Sequence, residues 1–175
     1  MPNVLQKPKT IFEVWESLPE GTLCQLINNN IVMSPSPTDL HQLILGDIYF
    51  EMKDVIKKKK LGQLRVAPYD VHFSGRNIYQ PDIVFIATEN LHLIESKGLF
   101  GVPDIVIEIL SPSTAHYDEG DKRAIYEQYC VKEYFMVEPT TKKVTALFLK
   151  GKEFVETSET VGSFYSKLLD TTIVF

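Results

Sequence analysis

Three short apolar runs in the second half of the chain predict buried β-strands. They cover residues 83–87, 105–110 and 133–137. Each run is nearly continuous rather than alternating, which is typical of strands in a sheet that is covered on both faces. A looser alternation over residues 63–73 predicts one further strand that precedes them.

Two segments space their apolar residues three or four positions apart, which predicts amphipathic helices. The first begins after Ser36 as N-cap and ends near Lys58. The second covers residues 118–129, with Asp118 as N-cap. The expected buried positions of the first helix are Leu40, Ile44, Ile48, Met52, and Val55 or Ile56.

Hairpins are predicted at both ends of this series. Asn28–Asn30 separate two apolar runs, and Asn tolerates the positive φ of a tight turn. Residues 143–149 and 153–157 flank a second turn, while 88–101 predict a loop or short helical turn. The order of elements favours an α/β fold with a mixed central sheet. A length of 175 residues suits one domain over residues 1–175, with a core of about 22–157.

The composition is that of an ordinary globular protein, with 44% hydrophobic and 23% charged residues. Cys24 and Cys130 lie far apart, and we expect two buried thiols in a reducing compartment. The N-terminal segment lacks the apolar run of a signal peptide, and no membrane span is present, so the expected location is the cytoplasm. No glycine-rich phosphate loop is present, so no organic cofactor is expected.

The charge is unevenly distributed around a net value of −5. Residues 53–76 carry +5 and residues 77–139 carry −7. The acidic balance argues against a chain coated in basic charge for nucleic acid. Lys57–Lys60 either contact a phosphate backbone or form a solvated helix end.

Two carboxylates interrupt the predicted strands. Asp82 follows Pro81 at the start of one strand, and Glu108 lies inside the next, on the same strand face as Asp104. Burying a carboxylate is costly unless it is paired, hydrogen-bonded or bound to a cation. Carboxylates on adjacent strands can bind one Mg²⁺, which prefers oxygen ligands and can activate water for phosphodiester cleavage. The alternative is an ion pair with Arg65, Arg76 or Lys122.

Lys122 is the candidate cation for this cluster. It precedes Ile125 and Tyr126 by three and four residues, which places it on the inward stripe of its helix. A lysine there requires an anionic partner, either Glu108 or a bound phosphate. It would then stabilise charge in the transition state or orient water. The alternative is a lysine that reaches along the surface to solvent.

These residues occur within longer motifs. Pro81-Asp82, PDIVIEILSPST at 103–114, Lys122 and VKEYFMVEP at 131–139 follow one another in the chain. In this order they resemble the Uma-two type family of putative restriction endonucleases, a branch of the PD-(D/E)xK nuclease superfamily. Residues 25–44 also resemble the first hairpin and helix of that family. The resemblance covers roughly residues 11–160.

The resemblance implies a restriction-endonuclease-like α-β-β-β-α-β core and a Mg²⁺- or Mn²⁺-dependent endonuclease that hydrolyses DNA, with a homodimer for double-strand cleavage. It places Asp82 at the acid of the PD element and Glu108 at the (D/E) position, and our hypothesis is that both hold the metal, with the Ile109 carbonyl as a candidate further ligand. The usual motif lysine falls at Leu110, and Lys122 stands where relatives have a displaced lysine. His41 matches a histidine of the first helix, and either a catalytic or a buried structural role is open for it.

The chain departs from the family pattern at Gln25, where relatives often have glutamate, and at Cys130, which replaces a usual glycine. Gln25 and the acidic balance favour an alternative: a non-catalytic binding module in which Lys122 and Glu108 form a plain buried ion pair. Cleavage of RNA or of a small phosphodiester is a further alternative. Glu95-Ser96-Lys97 is a literal E-x-K triplet, but it lies in a polar stretch without strand character.

Overall fold

The computed structural model describes residues 9–19, 21–112, 115–157 and 159–175. Residues 1–8, and Ser113 and Thr114 at the end of the 103–114 motif, lie outside these ranges. No helix in the described ranges is long and apolar enough to cross a membrane. The α-helices are α1 (Ile11–Glu16), α2 (Asp39–Lys59), α3 (Ala115–Tyr117) and α4 (Arg123–Gln128).

Most strands are short, and together they make up about half of the described chain outside the helices. In chain order they are β1 (Cys24–Ile27), β2 (Asn30–Met33), β3 (Gly62–Val66), β4 (Val71–Ser74), β5 (Asn77–Tyr79), β6 (Ile83–Ala87), β7 (Ile94–Glu95), β8 (Gly98–Leu99), β9 (Ile105–Ile109), β10 (Glu133–Val137), β11 (Lys143–Lys150), β12 (Glu153–Glu156), β13 (Thr160–Val161), β14 (Ser163–Ser166) and β15 (Thr171–Val174).

The central sheet has the strand order β12-β11-β10-β9-β6-β3, with β13 beside β11. Strands β9 and β10 are parallel, whereas β6 is antiparallel to both β3 and β9. The sheet is therefore mixed, as predicted. A second sheet has the order β2-β1-β5-β4-β8-β7, and β14 pairs with β15.

Both faces of the central sheet are covered, which confirms the prediction from the continuous apolar runs. On β6, Ile83 and Phe85 pack toward α2, whereas Val84 and Ile86 pack toward the second sheet and α4. Successive strand residues point to opposite faces, so a strand covered on both sides needs apolar residues at every position. The hairpin β11–β12 and the hairpin β1–β2 also form where predicted.

Three details of the prediction are wrong, and a fourth is only partly right. Residues 63–73 form two strands in different sheets, because the chain turns at Pro68, which has no amide hydrogen for a strand ladder. The N-cap of α2 is Thr38 rather than Ser36, since its hydroxyl accepts from the His41 amide at 3.2 Å. Leu40, expected to be buried, faces solvent. The short helical turn predicted within residues 88–101 is present as a 3-10 helix (Thr88–Leu93), but strands β7 and β8 follow it where a loop was the alternative.

The second predicted helix is an irregular helical segment over residues 115–128. Its middle, Asp118–Lys122, is a π-helical turn between α3 and α4. Asp118 is therefore not an N-cap; it is a buried residue in the wide turn. Such turns are uncommon in helices and occur frequently at functional sites.

The cysteine prediction is half right. Cys24 is buried, but Cys130 is exposed, and both thiols are free. Cys130 has a positive φ of 62°. This is the left-handed conformation that glycine adopts most easily. This backbone conformation fits the glycine that the family resemblance implies at this position.

Candidate active site

An open cavity of about 980 Å³ lies at one end of the central sheet. The hairpin β1–β2, the start of α2, the mouth of β6, the end of β9 and the π-helical turn all contribute to its wall. Its described lining includes five carboxylates but only one lysine, in addition to His41. These carboxylates are Asp82, Glu108, Asp118, Glu119 and Glu138.

Strand register brings Asp82 and Glu108 together. In the antiparallel pair β6–β9, Ile83 lies opposite Ile107, so Asp82 stands opposite Glu108 one step further on. Residues directly opposite in antiparallel strands point to the same face, with Cβ atoms about 4.5–5.5 Å apart. Pro81 precedes them and has no amide hydrogen, so the regular ladder ends here. Both side chains line the cavity.

The Asp82 carboxylate is held through a single oxygen. Oδ2 accepts a hydrogen bond from the Ile109 amide at 2.7 Å and another from Nε2 of His41 at 3.2 Å. His41 lies in the first turn of α2, and its own amide is fixed by Thr38. Burial lowers the pKa of His41, but the hydrogen bond and charge of Asp82 outweigh it, so the pKa is raised.

Glu108 is also held through a single oxygen. Oε1 accepts from Nζ of Lys122 at 2.9 Å and from the Tyr126 hydroxyl at 2.7 Å. Glu108 is 3% exposed and Lys122 is 4% exposed, so both charges are buried. Lys122 also pairs with Asp118 at 2.8 Å, four residues before it across the π-helical turn. Lys122 thus lies between two carboxylates, inward as the sequence predicts.

The cluster contains three carboxylates, Asp82, Glu108 and Asp118, and a single lysine, so ionising all three carboxylates would leave negative charge that Lys122 cannot neutralise. Burial raises the pKa of Glu108; Lys122 opposes this effect, while the Asp118 and Asp82 charges add to it, so the pKa is raised. Burial likewise raises the pKa of Asp118 against the effect of Lys122. Burial lowers the pKa of Lys122, but Glu108 and Asp118 more than compensate, and the lysine stays charged. A further cation would relieve this imbalance.

Each of the two opposed carboxylates keeps one oxygen available. Among the described residues, nothing donates a hydrogen bond to Oδ1 of Asp82 or to Oε2 of Glu108. Their other oxygens each accept two hydrogen bonds, which fixes the orientation of both groups. The described residues contain no group of three or more His, Cys, Asp or Glu side chains that could hold a metal. What the site offers is therefore two carboxylate oxygens.

Gln25 also lines the cavity, but its amide is already engaged. Its Oε1 accepts from the Gln80 amide at 3.0 Å, and its Nε2 donates to Ser34 at 3.3 Å. A neutral amide adds no charge to the cluster. Gln25 thus ties β1 to the segment that leads into Asp82.

Three other predicted positions lie differently. Asp104 is buried away from the cavity and pairs with Lys132 at 2.7 Å. Glu95 belongs to the two-residue strand β7, contrary to the expected lack of strand character, but Glu95 and Lys97 are exposed and do not line the cavity, so the literal E-x-K triplet lies apart from the carboxylate pair. Leu110 does line the cavity, but it brings only an apolar side chain.

Sequence reasoning missed two members of the cluster. Asp118 reads as a helix cap, and Tyr126 reads as a core residue. Their spacing held the signal: each lies four residues from Lys122, on the same side of the helical segment. Burial raises the pKa of Tyr126 well above its ordinary value, so its hydroxyl stays protonated and donates to Glu108.

Comparisons with known proteins agree with the fold and the motifs. The model of the Uma2 family, described as "Putative restriction endonuclease", matches residues 11–166. The crystal structure of a putative nuclease belonging to DUF820, from Anabaena variabilis, superposes with a TM-score of 0.75. It is 19% identical, and the match covers 93% of this chain and 92% of that one. No curated protein matches the chain.

Proposed function

The chain belongs to the Uma2 family of putative restriction endonucleases, and from this premise we propose that it is a Mg²⁺- or Mn²⁺-dependent endonuclease that hydrolyses DNA phosphodiester bonds. The observation that carries the proposal is the pair of opposed carboxylates, Asp82 and Glu108, beside the buried Lys122. Each carboxylate is oriented by two donors and has one oxygen left for a ligand.

The residues present fit a hard divalent cation. Mg²⁺ commonly takes one or two protein carboxylates and completes its shell with water and substrate phosphate. Asp82 and Glu108 would supply Oδ1 and Oε2, and the Ile109 carbonyl is the further ligand in this proposal. The excess of buried negative charge is a second point of fit, because a cation lowers the cost of ionising Glu108.

The bound cation would activate a water molecule and stabilise charge on the phosphate. In hydrolysis, the water oxygen bonds to phosphorus, one ester P–O bond breaks, and the leaving oxygen takes up a proton. Lys122 would donate a hydrogen bond to a non-bridging phosphate oxygen or to the attacking water. Asp118 and Glu108 keep Lys122 protonated and hold its ammonium group in place for this role.

DNA would meet little positive charge around the cavity. The lysines at the end of α2 begin at Lys57, which lies about 24 Å from His41 along the helix axis. Of these, Lys58 pairs with Asp54, and Lys59 donates to the carbonyls of Leu169 and Asp170. We therefore expect weak, salt-sensitive DNA binding that depends on the metal. Double-strand cleavage would require two such sites, hence a homodimer.

The direct test is cleavage of plasmid DNA with Mg²⁺ or Mn²⁺ by the full chain and by Glu108→Gln. The variant should lose cleavage while keeping its fold. Glu95→Gln and Lys97→Met serve as matched controls, because they change the same residue types in the exposed triplet. Equal cleavage by Glu108→Gln, or loss of cleavage in the control variants, would contradict the assignment.

A second candidate function is a non-catalytic binding module on the same scaffold. The observation that favours it is that Lys122 pairs with both Glu108 and Asp118, so these buried charges already have partners within the chain. Titration calorimetry distinguishes the two proposals. Heat of Mn²⁺ binding that disappears in Asp82→Asn supports the enzyme, whereas no binding to the parent chain supports the module.

A further inference from the structure

The solvent-facing side of α2 has an apolar stripe that nothing in the described residues covers. Leu43 is 57% exposed and Phe50 is 70% exposed. Seven residues separate them, which is two helical turns, so they lie on one line opposite the buried face. Gly46 lies between them, and a Cβ built there would meet no atom within 4 Å. It leaves an open notch in the stripe.

Charged residues extend this line at both ends. Asp39 precedes Leu43 by four residues, while Lys53 and Lys57 follow Phe50 by three and seven. The steps between positions alternate between four and three residues, which is the spacing of a helix–helix seam. We call these six residues the outer stripe: Asp39, Leu43, Gly46, Phe50, Lys53 and Lys57. All six are exposed, and Asp39 and Lys57 have no ion-pair partner among the described residues.

We propose that the outer stripe is the interface of a symmetric homodimer, in which α2 packs antiparallel against α2 of a second copy. A two-fold axis near residue 48 places Phe50 against Gly46 of the partner subunit. The same axis places Asp39 opposite Lys57 of the partner subunit. Each contact occurs twice, as a two-fold interface requires.

The charge pattern selects a second copy as the occupant. The line is acidic at its N-terminal end and basic at its C-terminal end, so it complements itself only when the two helices run in opposite directions. Asp39, Asp47 and Glu51 would repel a nucleic acid laid along the helix. Gly46 and Phe50 lie two residues on either side of the two-fold axis. The Phe50 ring of each copy therefore packs into the notch at Gly46 of the partner subunit.

The contact runs about 27 Å along the helix, from residue 39 to residue 57. One helix pair is a small interface, so the dimer should be weak, dependent on concentration and sensitive to salt. This inference specifies an interface for the homodimer that the proposed double-strand cleavage would require, but it rests on the surface of α2 and not on the active site. Its test measures the oligomeric state, so failure of one proposal does not decide the other.

The first experiment is sedimentation velocity on the full chain over a concentration series. Phe50→Ser removes the central aromatic anchor twice per dimer and should raise the dimer dissociation constant by about 30-fold or more. Gly46→Leu fills the notch and should do the same. Because leucine favours a helix more than glycine does, Gly46→Leu should not weaken the monomer, and a loss of fold is thereby separated from a loss of dimer.

A charge-swap experiment tests the antiparallel register. Asp39→Lys alone and Lys57→Glu alone each oppose like charges, and each should weaken the dimer by about tenfold or more. An equimolar mixture of the two variants restores opposite charges at both contacts and should dimerise again. Glu51→Lys makes the same charge change as Asp39→Lys on a different side of α2, and it should leave the dimer intact.

Three results would overturn the proposal. One is a parent chain that is monomeric at every concentration. Another is a dimer that Phe50→Ser and Gly46→Leu leave unchanged, because the interface would then lie elsewhere. The third is tighter DNA binding by Asp39→Lys and weaker binding by Lys57→Glu at an unchanged oligomeric state, which would make the stripe a DNA contact.

Discussion

Among the described residues, the buried carboxylates Asp104 and Glu133 lie apart from the cavity, and their oxygens are used differently from those of the carboxylates Asp82 and Glu108 that line it. At Asp104, both oxygens accept hydrogen bonds, from the Ala87 amide, Asn90 and Lys132. At Glu133, one oxygen accepts from Ser166 and the other from the Leu168 amide. Both groups lie at strand starts, and most of their hydrogen-bonding capacity is used to hold neighbouring segments in place.

Glu108 is as buried as these two acids and Asp82 is half-buried, but neither shares this pattern of bonding. Two donors occupy one oxygen of each, and no described residue donates to the other. Burial alone therefore does not distinguish a structural acid from a ligand, whereas an unbonded oxygen that lines a cavity does. Substitution of a carboxylate with an unbonded oxygen in the cavity should therefore mainly reduce cleavage. Substitution of a carboxylate whose oxygens are both bonded should mainly reduce stability.

The largest effect is expected from Glu108→Gln. Removing a proposed metal ligand should lower the rate of metal-dependent DNA cleavage by about 10³-fold, or roughly 4 kcal/mol of activation free energy. The glutamine keeps the shape and an acceptor for Lys122, so the fold should persist by circular dichroism. Single-turnover cleavage at saturating metal measures the loss. A rate within threefold of the parent would place Glu108 among the structural acids.

Asp104→Ala should reverse the pattern. It leaves the Ala87 amide and Asn90 without their buried acceptor, which should lower the free energy of unfolding by about 2–3 kcal/mol. Urea denaturation measures this loss. Cleavage by the folded fraction should equal that of the parent, since Asp104 does not line the cavity. A stable but inactive Asp104→Ala would break the comparison.

The pH dependence of stability, measured with and without Mg²⁺, should distinguish Glu108 from the structural acid Glu133. Because the pKa of Glu108 is raised, the folded chain keeps a proton that the unfolded chain releases, so the unfolding free energy falls as pH rises from the ordinary glutamate value through the raised one. The slope is at most about 1.4 kcal/mol per pH unit per proton. Thermal denaturation from pH 5 to 8 measures it.

Two controls assign that slope. Glu133→Gln should also flatten the profile, because burial raises the pKa of Glu133 despite the hydrogen bond from Ser166. At pH 8, Mg²⁺ should raise the unfolding free energy of Glu133→Gln, which keeps the proposed ligand Glu108. It should not raise that of Glu108→Gln. Equal effects of Mg²⁺ on both variants would show that the cation does not bind at Glu108.

The smallest effect is expected from Tyr126→Phe. It removes one of the two donors that orient Glu108, while the other donor, Lys122, remains. Mn²⁺ affinity should fall by about tenfold, at the lower end of the range for groups that orient metal ligands. Titration calorimetry measures this change. The matched control is Tyr134→Phe, whose hydroxyl donates to the Asp118 carbonyl and should leave Mn²⁺ affinity unchanged.

Much of the fold was accessible from the sequence because its signals are local. The strands β6, β9 and β10 are continuous apolar runs, and a strand covered on both faces has no room for polar side chains. Lys122 was placed inward by its spacing from Ile125 and Tyr126, and the ion pair with Glu108 agrees with that placement. The family and the mixed α/β fold are confirmed.

Other features were inaccessible because they depend on contacts distant in the chain. The strands β14 and β15 were not predicted, since their apolar residues Phe164 and Ile173 only acquire meaning against the α2 face of the central sheet. The chain turns at Pro68, so β3 and β4 lie in different sheets. The alternation over residues 63–73 does not indicate this turn. The exposure of Cys130 follows from a left-handed turn that its own side chain does not favour.

The sequence by itself determined which residues are chemically unusual: two carboxylates in apolar strands, and a lysine on an inward helix face. Composition and periodicity suffice for this, because the cost of burying a charge is a property of the residue. Only the tertiary structure decided how those charges are used. The β6–β9 register sets Asp82 opposite Glu108, and the π-helical turn brings Asp118 to Lys122. Four hydrogen-bond donors occupy one oxygen of Asp82 and one of Glu108, which leaves the other oxygen of each without a donor. Those relations join residues far apart in the chain, and packing alone fixes them.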